Sequence, residues 1–243
     1  DPPTAAHQDA LVNAMETLAF LGRDEDVIRL AELADVEIMD DQSEAALLHY
    51  LAYAQCRLND KSAAKASWKR CLKVSPHLQE ARLNLDDLNA GAGHAPWAAP
   101  LTKWVPKEII TATAKRGSSK ILAGNPYLTP LIPALLDRGD PVGREFAMRL
   151  AMADRSKSML EALKNFAMGS RGSDALRFEA LQFLRDEKFV DAGPHRIYRC
   201  GEWKQVQLIT TKITHQALPS NSSPRVLALM ADGINALKKG DWQ

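Results

Sequence analysis

Apolar residues recur at intervals of three and four along most of this chain. Leu11, Ala14, Met15 and Leu18 form one run, and Val27, Leu30, Ala31 and Ala34 the next. That spacing puts apolar side chains on one face of a helix. Residues 5–93 therefore read as helical throughout, cut into elements by polar breaks. Gly22-Arg23-Asp24 breaks the first pair, Asp40-Asp41-Gln42-Ser43 the next, and Asn59-Asp60 the third helix from the fourth. Ser43 with Ala46 predicts an N-cap that lacks the Glu or Gln of a full capping box. Pro76 ends the fourth helix, since proline cannot continue the hydrogen-bond ladder. Gln79 to Asn89 carries one further helix, stopped at Gly91-Ala92-Gly93.

The pattern changes after residue 93. His94, Pro96, Trp97, Pro100, Trp104 and Pro106 crowd into a short stretch, which predicts an ordered connector pinned by its rings on a neighbouring surface. Lys107 to Lys115 reads as a short helix, ended at Arg116-Gly117-Ser118-Ser119. Residues 126–189 are helical again. Leu131, Ile132, Leu135 and Leu136 line one helix, and Asp140-Pro141 opens the next with Asp as N-cap and Pro at the first helical position. His195 to Arg199, a turn at Cys200-Gly201-Glu202, and Trp203 to His215 predict a β-hairpin, which must pack on helices or a partner to persist. Val226 to Lys239 returns to helix.

Two resemblances follow from this layout. Leu48-x-x-Leu51-Ala52-x-x-Gln55, then Ala64, Trp68, Cys71 and Pro76, resembles a tetratricopeptide repeat. Small Ala52 and Ala64 lie where two helices must approach closely, Trp68 fills the large apolar slot and Pro76 closes the unit. Leu48 stands where the repeat usually has Trp, and Gln55 where it has Tyr. A weaker unit precedes it, and Gln79 to Asn89 repeats its first helix, so residues 8–90 resemble two repeats plus a capping helix. Gly240-Asp241-Trp242 resembles the turn of another unit starting near 224. The run Leu135-Leu136-x-x-x-Asp140-Pro141-x-x-Arg144-x-x-Ala147 resembles a HEAT repeat, and a second such unit follows it to residue 189.

Together these imply an all-α fold, a right-handed superhelical solenoid of helix pairs with one small β-hairpin. The expected segments are repeats and capping helix (1–93), connector and short basic helix (94–125), HEAT-like helices (126–190), hairpin (191–216) and the start of a further repeat (217–243). The start at Asp1 without a Met is read as a fragment or processed form, and the cut last unit as a sign that the natural chain continues.

Composition narrows the function. The chain of 243 residues is 46% hydrophobic and 25% charged, the balance of a folded protein, and its formal net charge of +1 excludes a uniformly basic nucleic-acid binder. The charge is nonetheless uneven. Residues 1–93 hold 9 Lys plus Arg against 16 Asp plus Glu, a formal −7, and residues 94–243 hold 22 against 14, a formal +8. Cys56, Cys71 and Cys200 are an odd set with no Cys-x-x-Cys pair, read as reduced thiols in a cytoplasmic protein. No stretch approaches the roughly 18 continuous apolar residues of a membrane span, so no membrane partner is expected. Asn221-Ser222-Ser223 matches a glycosylation triplet without a secretory context.

Motifs for chemistry are scarce. There is no phosphate loop, no Gly-x-Gly-x-x-Gly and no His-x-x-x-His. Ser62-x-x-Lys65 matches a serine–lysine acylation motif in letters only, and its place at a helix start explains it as a cap with a solvated Lys. The six histidines are scattered, with no Cys or carboxylate at metal-ligand spacing. The expectation is no catalysis, no metal and no cofactor. Recognition remains: in the repeat it resembles, first helices line a concave surface, which places Val12, Glu16, His49, Tyr53, Arg57, Leu83, Asn84 and Asp87 there. Tyr53 and Arg57, four apart, share a face and are residue types that dominate binding energies. The clamp that some such repeats use on a terminal carboxylate is excluded: its positions hold Val12, Glu16, Tyr50 and Glu80, with only Asn84 compatible. The expected function is a scaffold or adaptor for a protein or peptide. The alternative is a nucleic-acid-binding or -processing module using Lys103, Lys107, Lys115, Arg116 and Lys120, then Arg138, Arg144, Arg149 and Arg155, with Trp97 or Trp104 stacking on bases. Ion pairing of Arg144 and Arg149 with nearby acids, and tryptophans in the core, is the plainer account. A third reading is an architectural spacer.

Overall fold

Asp40, Asp60, Asp140, Ser156 and Ser173 each accept a hydrogen bond from a backbone N–H three residues on, and each opens a helix. These caps set the frame of the computed structural model, which describes residues 5–90, 96–207 and 223–239. Among them the chain is mostly helical, with twelve α-helices and one antiparallel two-stranded sheet. Residues 1–208 form one compact unit and 209–243 another.

The first unit begins with α1 (Ala5–Leu21), α2 (Asp24–Leu33), α3 (Asp41–Arg57), α4 (Lys61–Val74) and α5 (Gln79–Ala90). Each packs on its chain neighbour, and α1 also on α3. The α3–α4 contact is close because Ala52 and Ala64 are fully buried and small, and Trp68 fills the space beside them. Truncating such a fully buried ring costs about 3–5 kcal/mol. The cap of α3 is Asp40, three residues before the expected Ser43. The Asp40 carboxylate receives Ser43 N–H at 2.8 Å and Ser43 Oγ at 3.1 Å, so Ser43 is the capped residue inside the first turn.

A second core lies under α6 (Lys107–Arg116), α7 (Ser118–Gly124), α8 (Leu131–Arg138), α9 (Pro141–Asp154), α10 (Lys157–Ala167) and α11 (Asp174–Asp186). Its centre is Ile132, Leu135, Leu150, Leu163, Phe166 and Leu184. The stretch 116–119, expected as a helix end, ends α6 and at once opens α7. Gly117, at φ +84°, makes the break between them in a region that side chains rarely adopt. In both helix pairs, α8–α9 and α10–α11, an arginine four residues after the second helix's cap is buried. Arg144 donates to the carbonyls of Leu136 and Asp137, each at 3.3 Å, and Arg177 to that of Arg171 at 3.1 Å. Each answers carbonyls at the end of the preceding segment that no helix bond satisfies.

The sheet is β1 (Pro194–Arg199) paired with β2 (Glu202–Gln207), Ile197 opposite Lys204 and Tyr198 opposite Trp203. Cys200 and Gly201, at φ +51° and +82°, make the two-residue turn. Ile197 is buried in the second core, and α11 holds the hairpin: Arg177 donates to Tyr198 O at 2.8 Å, and Cys200 N–H to Asp174 at 2.9 Å. The expected second arm runs past 207; residues 208–215 lie outside the described residues. In the second unit, α12 (Pro224–Lys239) leaves Val226, Leu227, Leu229 and Met230 exposed. The turn expected at 240–242 also lies outside the described residues.

Candidate functional site

Of α1, α3 and α5, the helices expected to line a concave surface, α3 and α5 already hold a segment of the chain itself. The segment Pro96–Ala99 is buried, and one residue of each helix holds its backbone. Asn84, on α5, accepts Trp97 N–H at 3.0 Å and donates to Trp97 O at 2.8 Å, so its carboxamide pairs with that residue as a second backbone would. His49, on α3, places Nε2 2.9 Å from Ala98 O. Trp68 Nε1 can only donate, and it reaches His49 Nδ1 at 3.2 Å. His49 is thereby fixed as the neutral Nε2–H tautomer, and burial lowers its pKa. His49 is 3%, Asn84 2% and Tyr53 0% exposed. The expectation that these three face a free groove is corrected: the chain's own connector covers the first two, and Tyr53 is core. Tyr53 donates to Ala19 O at 3.5 Å, and burial pushes its pKa up to about 12.

The space between α1 and α3 is open. A cavity of about 310 Å³ lies between α1 and α3, lined by Asp9, Val12 and Glu16 on one side and Asp40, Ala46 and Tyr50 on the other. Lys103 closes one edge and pairs with Glu16 at 3.4 Å. Burial, reinforced by Glu16, raises the Tyr50 pKa and keeps its hydroxyl protonated. Three carboxylates against one lysine leave this end negative.

Arg57 ends α3 under a different constraint. Its Nε donates to Asp24 of α2 at 3.0 Å and its Nη2 to Asp137 of α8 at 2.9 Å. Its guanidinium also lies over the Tyr53 ring, 5.7 Å from the centroid. Arg138 donates to the same Asp137 and, at 3.0 Å, to Phe20 O. Burial opposes the Asp137 charge, but Arg57, Arg138 and Arg171 outweigh it and lower its pKa. Arg57 thus joins the two cores of the first unit rather than presenting itself on an open surface.

Of the other expected residues, Val12 and Glu16 line the open cavity, Leu83 is exposed and Asp87 is half-buried. Among the basic set, Lys107 and Lys120 are exposed and Lys103 is engaged with Glu16. The side chains of Lys115 and Arg116 lie outside the described residues. The tryptophans offered for base stacking are committed: Trp97 is buried, and Trp104 stacks on Phe20 with centroids 3.9 Å apart. Arg149 pairs with Glu145 as expected, and Arg144 donates to the backbone carbonyls of Leu136 and Asp137. The residues missed from sequence are Asp137 and Arg171. No local signal pairs them, because they lie 34 residues apart on different elements.

Among the described residues no group of three or more His, Cys, Asp or Glu side chains is placed to hold a metal ion, and no helix is long and apolar enough to cross a membrane. No protein-family model, curated protein or solved structure matches this chain.

Proposed function

We propose that this chain is a non-catalytic helical-repeat scaffold that binds a protein or peptide through the row formed by α1, α3 and α5. The repeat resemblance of residues 8–90 supports a concave binding row, and stacked helix pairs suit extended partners. The carrying observation is the pairing of Asn84 and His49 with the backbone of Trp97 and Ala98. These groove residues recognise non-helical chain, and the row continues past that segment into the open cavity at Val12, Glu16 and Tyr50. With Asp9, Glu16 and Asp40 around it, the open end fits a partner segment carrying Lys or Arg, whose cation competes with Lys103 for Glu16.

The test is affinity capture from the source organism's lysate, with and without nuclease, using the chain and its Asp9→Lys variant. Asp9 is exposed, so the variant keeps its fold. A nuclease-resistant protein held by the chain and lost by Asp9→Lys supports the reading. Equal retention overturns the site, and loss of every partner on nuclease treatment moves the function to nucleic acid.

A further inference from the structure

A second cavity, of about 260 Å³, opens between α8 and α10. Pro133, Leu136, Ala162 and Phe166 make its apolar walls, and Asp137, Asn165 and Arg171 its polar end. Asp137 Oδ2 is fully engaged, by Arg57 Nη2 at 2.9 Å and by Arg138 Nε and Nη2 at 3.1 and 2.8 Å. Arg171 Nε stands 3.9 Å from the other oxygen, Oδ1, beyond hydrogen-bond reach.

The charges here do not balance. Arg57, Arg138 and Arg171 gather against the carboxylates of Asp24 and Asp137, a formal excess of one positive charge. Burial, and then repulsion from Arg57, lowers the Arg171 pKa. Its guanidinium stays cationic at neutral pH. Among the described residues Arg57 Nη1 and Asp24 Oδ1 are buried without hydrogen-bond partners. Cations beside an apolar-walled cavity focus their field into it.

We propose that this cavity binds a carboxylate carrying an apolar body the size of one large side chain. Arg171 and the Asn165 amide receive the carboxylate oxygens, and the body lies against Leu136 and Phe166. Arg57 and Arg138 meet the charge of Asp137 at this end, so the Arg171 guanidinium and the Asn165 amide beside it suit a single negative charge, and most of the wall is apolar. Two sources share this chemistry, the C-terminal residue of a peptide and a free aromatic or aliphatic acid. The site uses none of the α1–α3 cavity residues, so either can fail alone.

The test is calorimetric titration of the full chain with N-acetylphenylalanine, its primary amide and 3-phenylpropionate, near physiological ionic strength. N-acetylphenylalanine is expected to bind saturably and its amide about tenfold more weakly, because the charge-assisted bonds are lost. Arg171→Gln and Asn165→Asp should each weaken the acid about tenfold or more. Asn165 is exposed, so its variant keeps the fold should Arg171→Gln lose it. Binding of 3-phenylpropionate as tight as that of N-acetylphenylalanine assigns the site to free acids; much weaker binding assigns it to peptide ends. Equal affinity for acid and amide, no saturation by either acid, or full affinity in Asn165→Asp overturns the proposal.

Discussion

His49 Nε2 lies 2.9 Å from the carbonyl oxygen of Ala98, and its other ring nitrogen accepts from Trp68. A protonated ring would lose the Trp68 bond and place a second donor against it. Burial is the main reason that the His49 pKa is lowered, against the Ala98 carbonyl and the carboxylates of Glu80 and Glu16. The unfolded chain takes up this proton near pH 6.5, while the folded chain does not until lower pH.

The sign of the pH dependence follows. Stability from this group is complete above about pH 6.5 and falls as pH drops towards the depressed folded pKa, by up to about 1.4 kcal/mol per pH unit for one proton. Urea melts between about pH 5 and 7 measure it. His49→Gln is expected to flatten that slope. An unchanged slope means the ring is not buried as described.

Asn84→Ala removes both bonds to the Trp97 backbone and leaves its buried N–H and C=O without the partners that Asn84 supplies. Each such group costs about 1–3 kcal/mol. The melt should fall accordingly, and amide exchange at Trp97 should accelerate more than exchange within α4. Uniform acceleration throughout would show that Asn84 holds the whole fold rather than this segment.

Arg57→Ala strands the buried Asp24 carboxylate, while Asp137 keeps Arg138, and breaking a buried pair in this way costs about 3–5 kcal/mol. Tyr53→Ala opens a cavity in the first core at a cost of about 3–5 kcal/mol. A double Tyr53→Ala, Arg57→Ala variant, natural to choose from the sequence as a binding test, is therefore a folding test. It should lose helicity by circular dichroism at temperatures where the parent chain is folded. Retained helicity would return both residues to the surface.

Cys200 is exposed in the hairpin turn, Cys56 is half-buried and Cys71 is buried with its Sγ donating to Ala45 O at 3.2 Å. Burial pushes Cys71 up to about 12 and raises Cys56 as well. A thiol reagent at neutral pH should modify one site quickly, and Cys200→Ser should abolish that fast phase. A second fast site would contradict the burial of Cys56 or Cys71.

The helical character, most element boundaries and the hairpin were legible, because each rests on neighbours close in sequence. Asp140-Pro141 signals a helix start by itself, and Cys200-Gly201 a turn. Asp40, not Ser43, caps α3: both are cap residues within one polar break, and only backbone geometry separates them. The site was read less well. Val12 and Glu16 line an open cavity, while His49 and Asn84 lie on the expected face and yet are covered.

What the sequence by itself determined is local. Apolar spacing sets helices, small residues at 52 and 64 set a close helix pair, and caps set where helices begin. Tertiary structure alone decided which polar residues meet. His49 finds Ala98, Arg57 finds Asp137, and Arg171 arrives beside the same carboxylate from another helix pair. The physical reason is that a helical period reports only which face of an element is apolar. Whether a polar residue on the other face meets water or a distant carbonyl depends on chain arriving from far along the sequence, and no local pattern encodes that arrival.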